Sequence, residues 1–349
     1  MDLILASAGS YPRSGPGDDL QVLVRVREAV ARGEQTAADL SYAENFMVRR
    51  AIEEQVAAGI ELVTDGLTRW CDPISHLAGK LEGVELNAER PLPAGSGSYR
   101  VPRVSKWPAR RGPLLAEEYR FACNALGAVV TPKGKAGKLA VKAVLCGPFT
   151  LAKLSDASDA AITPLDVRTA AFAEALSAEV SALAEGGAEH IQVDELAPVE
   201  QVADWTALRA GIASLATARD AARKLGRRVE LTVFLHACGA AAHWDAIFDL
   251  PADVVALDLA GNGELLDRLS SSGAPKPVHL GLVSGRSAEL EDAPGLARRV
   301  EAILPKLPKG RTYLGPTGGL DGLPRDCARA KLQLLSRVRE LIAGRASSL

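Results

Sequence analysis

Short runs rich in β-branched residues and leucine recur along the whole chain, each followed by a longer alanine-rich stretch with helical spacing. This alternation is typical of repeated βα units with parallel strands. In one helical stretch, Leu176, Val180 and Leu183 lie four and then three positions apart, which places them on one face. We predict eight strands, at residues 3–8, 60–65, 139–146, 189–194, 229–236, 254–258, 278–283 and 311–314.

Eight βα units in a chain of 349 residues leave few folds to consider. Eight parallel strands with intervening helices close most economically into a (β/α)8 TIM barrel, an α/β fold. The alternative, a doubly wound open sheet, has a glycine-rich first βα turn, and Gly9-Ser-Tyr-Pro12 lacks that composition. We predict one barrel domain over residues 1–349, with a long insert at residues 70–138 between the second and third strands.

The insert contains basic residues clustered around an aromatic side chain. They are Arg100, Arg103, Lys106, Trp107, Arg110 and Arg111. A cluster of this kind is typical of a solvated hairpin, and long loops inside compact domains also serve as lids. The sequence leaves both interpretations open: a surface hairpin or a basic flap over the barrel mouth.

The charge balance and the cysteines limit the classes of partner. The 41 basic and 43 acidic residues give a formal net charge of −2 without long runs of either sign, which argues against nucleic-acid binding. No apolar stretch approaches the roughly 18 to 20 residues that span a bilayer, so we expect no membrane partner. The five cysteines are scattered and odd in number, which favours free thiols in a reducing cytoplasm. A small-molecule substrate fits this composition best.

Polar residues end strand after strand of the predicted barrel. They are Ser10, Asp65, Asp194, Glu195, His236, Cys238, Asp258, Arg286, Ser287 and Thr317. A lone aspartate at a strand end is more often a helix cap than a catalyst. Active sites of TIM barrels lie at the carboxyl ends of the strands, so the recurrence of polar residues there predicts a functional site.

His236 and Cys238 lie two positions apart after the fifth predicted strand. A thiolate and an imidazole are a favoured ligand pair for zinc, and a substrate thiol can fill the open coordination position. The metal lowers the pKa of a bound thiol and makes it a nucleophile at neutral pH. The alternative is a buried histidine bonded to a backbone carbonyl beside an inert cysteine. The pair therefore indicates zinc chemistry on a thiol as the functional hypothesis.

Six segments follow one another along the chain in a fixed order: Ala8-Gly-Ser-Tyr-Pro12, Gly59-Ile-Glu-Leu-Val-Thr-Asp-Gly66, Cys146-Gly-Pro-Phe-Thr150, Ile191-Gln-Val-Asp-Glu195, His236-Ala-Cys238 and Gly315-Pro-Thr-Gly-Gly-Leu320. Together they resemble the catalytic domain of cobalamin-independent methionine synthase, over nearly the whole chain. That resemblance implies a (β/α)8 barrel that transfers a methyl group to the zinc-bound thiolate of homocysteine.

The resemblance also implies a metal site with two departures from the family pattern. His236 and Cys238 stand where the family has its zinc-binding His-x-Cys, and Asp258 stands where it has a glutamate ligand. Carboxylate oxygen of either residue type binds zinc. The family's last cysteine ligand falls on Gly318, which has no side chain to coordinate a metal.

On the substrate side, the resemblance implies that Ser10 and Asp194 hold the carboxylate and amino group of the amino-acid thiol. We predict Glu195 as a further substrate-binding residue. A second substrate-binding glutamate of the family falls on Leu67. We predict Asp194 and Arg286 as catalytic residues, Arg286 standing where the long, two-domain enzymes have a proton-donating histidine.

The methyl donor implied by the resemblance is not a folate. The chain is similar to the short, single-barrel relatives, and the folate-stacking tryptophan of the long enzymes falls on Leu154. A corrinoid protein is the donor that this similarity implies. An arginine at position 286 suits an anionic donor group because its guanidinium is positively charged. It does not readily return a proton to a leaving amine at neutral pH.

Two other functions fit the same sequence. A uroporphyrinogen decarboxylase-like barrel needs no metal and uses arginines on an acidic substrate, and Arg13, Arg100 and Arg103 favour it. A non-catalytic binding or accessory barrel with a degenerate zinc site is favoured by Gly318 and Leu67.

Overall fold

The protein was analysed as a computed structural model that describes residues 2–93, 97–130, 139–236 and 243–346. The strands are β1 Asp2–Leu5, β2 Leu62–Val63, β3 Glu82–Pro91, β4 Ser98–Ala109, β5 Ala140–Cys146, β6 Asp156–Ala157, β7 His190–Glu195, β8 Glu230–Leu235, β9 Val254–Asp258, β10 Val278–Val283 and β11 Arg311–Pro316. The α-helices are α1 Val22–Ala31, α2 Ala37–Ala57, α3 Ser75–Ala78, α4 Ala116–Gly127, α5 Pro148–Lys153, α6 Leu165–Glu185, α7 Val202–Lys224, α8 Trp244–Asp249, α9 Gly263–Ser272, α10 Ala293–Ile303 and α11 Arg325–Ala346. Short 3₁₀ turns lie at Asp19–Gln21, Ala160–Ile162 and Leu304–Lys306.

Eight strands form one parallel sheet in the order β1-β11-β10-β9-β8-β7-β5-β2. A parallel bridge between Ala6 and Leu62 joins the two ends of this order. The backbone N–H of Ser7 also donates to the carbonyl of Leu62 at 2.9 Å, and that of Glu61 to the carbonyl of Leu5 at 2.9 Å. The predicted (β/α)8 barrel is therefore confirmed, with a strand at each of the eight predicted places.

Helices surround the barrel, held by apolar faces that pack on the strands or on neighbouring helices. On α6, the predicted stripe of Leu176, Val180 and Leu183 is fully buried. The start of α2 is fixed by a capping box, in which the side chain of Thr36 accepts from the backbone of Asp39 and the Asp39 side chain accepts in return. Periodicity and capping chemistry together set the positions of these helices.

The interior of the barrel contains polar side chains, whereas branched aliphatic residues usually fill the interior of a TIM barrel. Near its base, Tyr313 donates to Glu230 Oε1 at 2.5 Å, and His190 Nδ1 lies 3.1 Å from the same oxygen. Closer to the carboxyl ends of the strands lie the buried side chains of Lys142 and Gln192. The barrel therefore contains charged and amide groups beneath its mouth.

The insert after β2 is built on a hairpin. Strands β3 and β4 pair antiparallel, and β6 adds in parallel to β4. Trp107 Nε1 donates to Glu174 Oε2 at 3.0 Å, and Arg110 Nε donates to Glu179 Oε2 at 2.7 Å. Both glutamates belong to α6, so these insert residues hold the hairpin against the outer layer of helices.

Two further observations concern the described ranges alone. None of their helices has both the length and the apolar composition that crossing a membrane requires. Four cysteines in those ranges are free thiols: Cys71, Cys123, Cys146 and Cys327.

Candidate active site

A cavity of about 400 Å³ opens at the carboxyl ends of the barrel strands. Side chains that follow or end five of these strands line it, namely Ser10, Asp194, His236, Arg286 and Thr317. The segment after β2 adds Leu67, Trp70, Asp72 and Pro73, and Leu92 follows β3. The fold thus brings together, in one pocket, polar residues that lie up to 311 positions apart in the sequence.

His236 lies directly after β8, with only 9% of its side chain exposed. Its ring stacks on Phe234, with the ring centroids 4.1 Å apart. Gly318 lies against the same ring, where a Cβ built on the glycine would stand 3.4 Å from Nδ1. Nε2 is buried and has no hydrogen-bond partner among the described residues. Because buried polar atoms are nearly always paired in native proteins, this nitrogen fits a ligand-binding atom.

Asp194 lies at the end of β7 and lines the pocket beside His236. Its Oδ1 accepts a hydrogen bond from Gln192 Nε2 at 2.6 Å and lies 3.7 Å from His236 Nε2. Its Oδ2 points toward Gly9, where a built Cβ would stand 3.9 Å from the oxygen. One carboxylate oxygen is therefore held by the protein, and the other borders the cavity, where a cationic group can bind.

Ser10 belongs to a polar cluster that also lines the pocket. Its hydroxyl donates to Asp321 Oδ1 at 2.5 Å, and Arg13 Nη2 donates to Asp321 Oδ2 at 3.4 Å. A Cβ at position 319 would stand 1.9 Å from Ser10 Oγ, so the close approach of the two segments requires Gly319. The role of Asp321 was not anticipated from the sequence, although its place just after the Gly315–Leu320 segment was a usable signal.

The predicted metal ligand Asp258 and the predicted catalytic residue Arg286 bind each other. Arg286 Nη2 donates to Asp258 Oδ2, and the backbone N–H of Gly261 donates to Oδ1 at 3.0 Å. Arg286 is half-exposed and lines the pocket, whereas Asp258 is largely buried. In this arrangement both oxygens of Asp258 accept hydrogen bonds, so the guanidinium competes with a metal ion for this carboxylate.

Glu195 lies against α5 and outside the pocket lining, because neighbouring residues of a strand point to opposite faces. Its buried carboxylate accepts from the backbone N–H of Phe149 at 3.3 Å, and from the N–H and hydroxyl of Thr150 at 2.8 and 2.6 Å. A Cβ at Gly147 would stand 2.1 Å from the carboxyl carbon, so glycine is required there. The geometry is that of a carboxylate capping a helix N-terminus.

We expect the Glu195→Gln variant to change stability rather than acceptor binding. Burial raises the pKa of Glu195 to about 7, from 4.5 for an unperturbed group. The folded state therefore binds this proton more tightly than the unfolded state. The stabilising contribution is complete below pH 4.5 and is lost as the pH rises through 7.

The difference in unfolding free energy between wild type and Glu195→Gln should accordingly fall by about 3 kcal/mol as the pH rises across this range. Denaturant unfolding of both proteins at several pH values measures it. A difference that stays constant with pH would show that the carboxyl group titrates normally.

The described residues fit a metal ion only in part. The unpaired Nε2 of His236 fits as a ligand nitrogen, whereas Asp258 is bound to Arg286. Cys238 lies outside the described residues. Across the described ranges, no three histidine, cysteine, aspartate or glutamate side chains lie together in a way that would hold a metal ion. The described part of the pocket therefore supplies one ligand nitrogen and leaves the rest of the predicted zinc site to experiment.

Residues 3–340 match the family described as cobalamin-independent synthase, catalytic domain. This chain belongs to that family. The resemblance inferred from the six ordered sequence segments is thereby confirmed, and so is the prediction of an enzyme of the S-methyltransferase class.

Individual members of the synthase family are similar along most of the chain. The methionine synthase of Methanothermobacter marburgensis is 25% identical over 290 residues, which cover 82% of this chain and 85% of the relative. A 5-methyltetrahydropteroyltriglutamate–homocysteine methyltransferase of Halalkalibacterium halodurans is 24% identical over 351 residues, covering 96% of this chain but 42% of that longer protein.

A solved structure shows the same fold. A B12-independent methionine synthase from a Shewanella species, in complex with selenomethionine, superposes with a TM-score of 0.76 at 19% identity and covers 99% of both chains. At this identity the likeness supports the barrel architecture alone. The barrel of the synthase family is therefore retained over the length of the chain.

Proposed function

We propose that the enzyme transfers a methyl group to the thiol of homocysteine and so forms methionine. The observation that carries this proposal is the pairing of Asp194 with His236, where a carboxylate borders the cavity beside an imidazole nitrogen that has no hydrogen-bond partner among the described residues. The names of the relatives, methionine synthase and homocysteine methyltransferase, support the same acceptor.

The pocket offers separate places for the two ends of an amino-acid thiol. The free oxygen of Asp194 binds the ammonium group, because a carboxylate that is already oriented gains a charge-assisted hydrogen bond at small entropic cost. The sulfur then lies toward His236. In the transfer itself, a sulfur lone pair forms the new S–C bond, and the methyl carbon leaves the donor atom, which keeps the electron pair of the broken bond.

We propose His236 and Cys238 as the residues that hold zinc. When bound, the metal would lower the pKa of the acceptor thiol so that the sulfur reacts as a thiolate at neutral pH. Metal analysis of protein purified without added zinc should find about one equivalent per chain. Protein without metal, and without zinc uptake in the presence of homocysteine, would contradict this part of the proposal.

Arg286 favours a methyl donor that carries negative charge. Its guanidinium is half-exposed at the pocket and is bound to Asp258. A corrinoid protein as donor stays a prediction from the sequence, and the relatives' names give it no support. A direct comparison of methylcobalamin with 5-methyltetrahydropteroyltriglutamate as donors distinguishes the two classes.

The other two functions are less consistent with the structure. The uroporphyrinogen decarboxylase-like alternative needs arginines that converge on an acidic substrate. Arg100 and Arg103 do not line the pocket, and Arg100 donates to the backbone carbonyl of Leu86. Arg13 does line it, but its guanidinium is bound to Asp321. A non-catalytic barrel predicts that no small thiol binds. Thermal-shift measurements with homocysteine test that alternative, because a ligand that binds the native state raises Tm.

The reducing cytoplasm inferred from the scattered cysteines also stays a prediction. Fractionation of cells that express the protein, with a thiol-labelling step before lysis, tests it.

A further inference from the structure

Lys142 is a buried cation that the proposed chemistry does not use. It lies on β5 inside the barrel, with 3% of its surface exposed. Its ammonium group donates to the backbone carbonyl of Ser7 at 2.5 Å and to Gln192 Oε1 at 2.5 Å. The hydrogen bond to Gln192 connects Lys142 with the residues that line the pocket.

Gln192 connects Lys142 to Asp194 in a single orientation. Its Nε2 donates to the backbone carbonyl of Ala8 at 2.5 Å and to Asp194 Oδ1 at 2.6 Å, while its Oε1 accepts from Lys142. An ammonium group can only donate, and a backbone carbonyl or an ionised carboxylate can only accept. Reversing the amide would therefore break all three hydrogen bonds, so Lys142 and the carbonyl of Ala8 together determine which end of Gln192 faces Asp194.

The energetic cost of this arrangement indicates a role beyond packing. Burying an ammonium group costs several kcal/mol, and interiors of TIM barrels are usually filled by branched aliphatic side chains at no such cost. Burial lowers the pKa of Lys142 to about 8, so the side chain keeps its charge at pH 7. Asp194 and Glu230 are the carboxylates whose charges act on it.

We propose that Lys142 and Gln192 are positioning residues, which together hold Oδ1 of Asp194 so that Oδ2 is presented to the ammonium group of the acceptor. This inference rests on the proposed function for the identity of the acceptor. The holding of Asp194 itself does not, because it follows from three hydrogen bonds inside the protein.

The test compares wild type with the double variant Lys142→Met/Gln192→Met. In this variant, unbranched apolar side chains replace the lysine and the glutamine that are hydrogen-bonded in series to Asp194. Removing both partners together avoids leaving one of them buried without the other. Lys142→Met alone is the second variant, should the double variant fail to fold. The control is Tyr313→Phe, which removes an interior hydrogen bond to Glu230 at the base of the barrel.

Two readouts are needed: ligand-free crystal structures and calorimetric titration with homocysteine. We expect the carboxylate of Asp194 to rotate or to occupy several orientations in the variants, and the Kd for homocysteine to rise about tenfold. Tyr313→Phe should leave the Kd within twofold of wild type, whatever its effect on Tm.

An unchanged Asp194 orientation overturns the inference, and so does a variant Kd within twofold of wild type. Failure of wild type to bind homocysteine instead contradicts the proposed acceptor. In that case the crystal structures alone decide whether Lys142 and Gln192 hold Asp194.

Discussion

Replacing His236 by alanine should reduce kcat/KM for methyl transfer by about 10³-fold or more. The imidazole has a buried nitrogen at the pocket with no hydrogen-bond partner in the described part of the chain, so its loss removes the group that binds or activates the acceptor sulfur. A loss of 10³-fold corresponds to about 4 kcal/mol of transition-state stabilisation. Steady-state kinetics with homocysteine, together with metal analysis of the same preparation, measures both consequences.

His243→Ala is the matched control for this substitution. The His243 ring packs against Trp205, with the ring centroids 5.3 Å apart, and it does not line the pocket. We expect His243→Ala to keep kcat/KM within about threefold of wild type. If both variants retain activity, His236 has no part in the reaction.

Replacing Asp194 by asparagine should weaken acceptor binding by about 100-fold. The substitution keeps the size of the side chain and removes its charge, so the ammonium group of homocysteine loses its partner. The expected effect lies mainly in the KM for homocysteine, with a smaller change in kcat. Calorimetric titration gives the corresponding Kd.

A substrate analogue separates loss of the ammonium contact from a general distortion. 4-Mercaptobutyrate is homocysteine without its amino group. Wild type should bind homocysteine much more tightly than this analogue, and Asp194→Asn should bind the two with similar Kd values. A preference for homocysteine that survives in the variant would place the ammonium group elsewhere in the pocket.

The barrel was predictable because each strand and helix has its own periodic signal. The stripe of Leu176, Val180 and Leu183 determined one face of α6 before any contact was known. The polar strand ends were predictable for the same reason, since parallel strands bring their carboxyl ends to one side. Ser10, Asp194, His236 and Arg286 line one pocket accordingly.

Pairings between these residues were not predictable, because they depend on side-chain directions and on distant segments. Asp258 has the right residue type for a metal ligand, yet Arg286 reaches its carboxylate from the end of the next strand. Glu195 is adjacent to Asp194 but faces the opposite side of the strand, where it caps α5. Asp321 joins Ser10 across 311 positions of sequence.

At position 67 the chain has a leucine where the family has a glutamate, and the structure shows what this leucine does. The residue that stands at the position of a family glutamate lines the pocket with an apolar side chain. Its backbone adopts a φ of 47°, which is unfavourable for a residue with a Cβ. The carboxylate of Asp65 accepts its backbone N–H at 2.9 Å and so helps to hold this conformation.

The most direct test of the proposed function is the formation of labelled methionine. Purified protein is incubated with homocysteine and with a donor that carries a ¹³C-methyl group, either 5-methyltetrahydropteroyltriglutamate or methylcobalamin, and methionine is measured by mass spectrometry. The account predicts ¹³C-methionine with at least one donor, and its loss in His236→Ala. Folded, zinc-supplemented protein that binds homocysteine but forms no labelled methionine from either donor would contradict it.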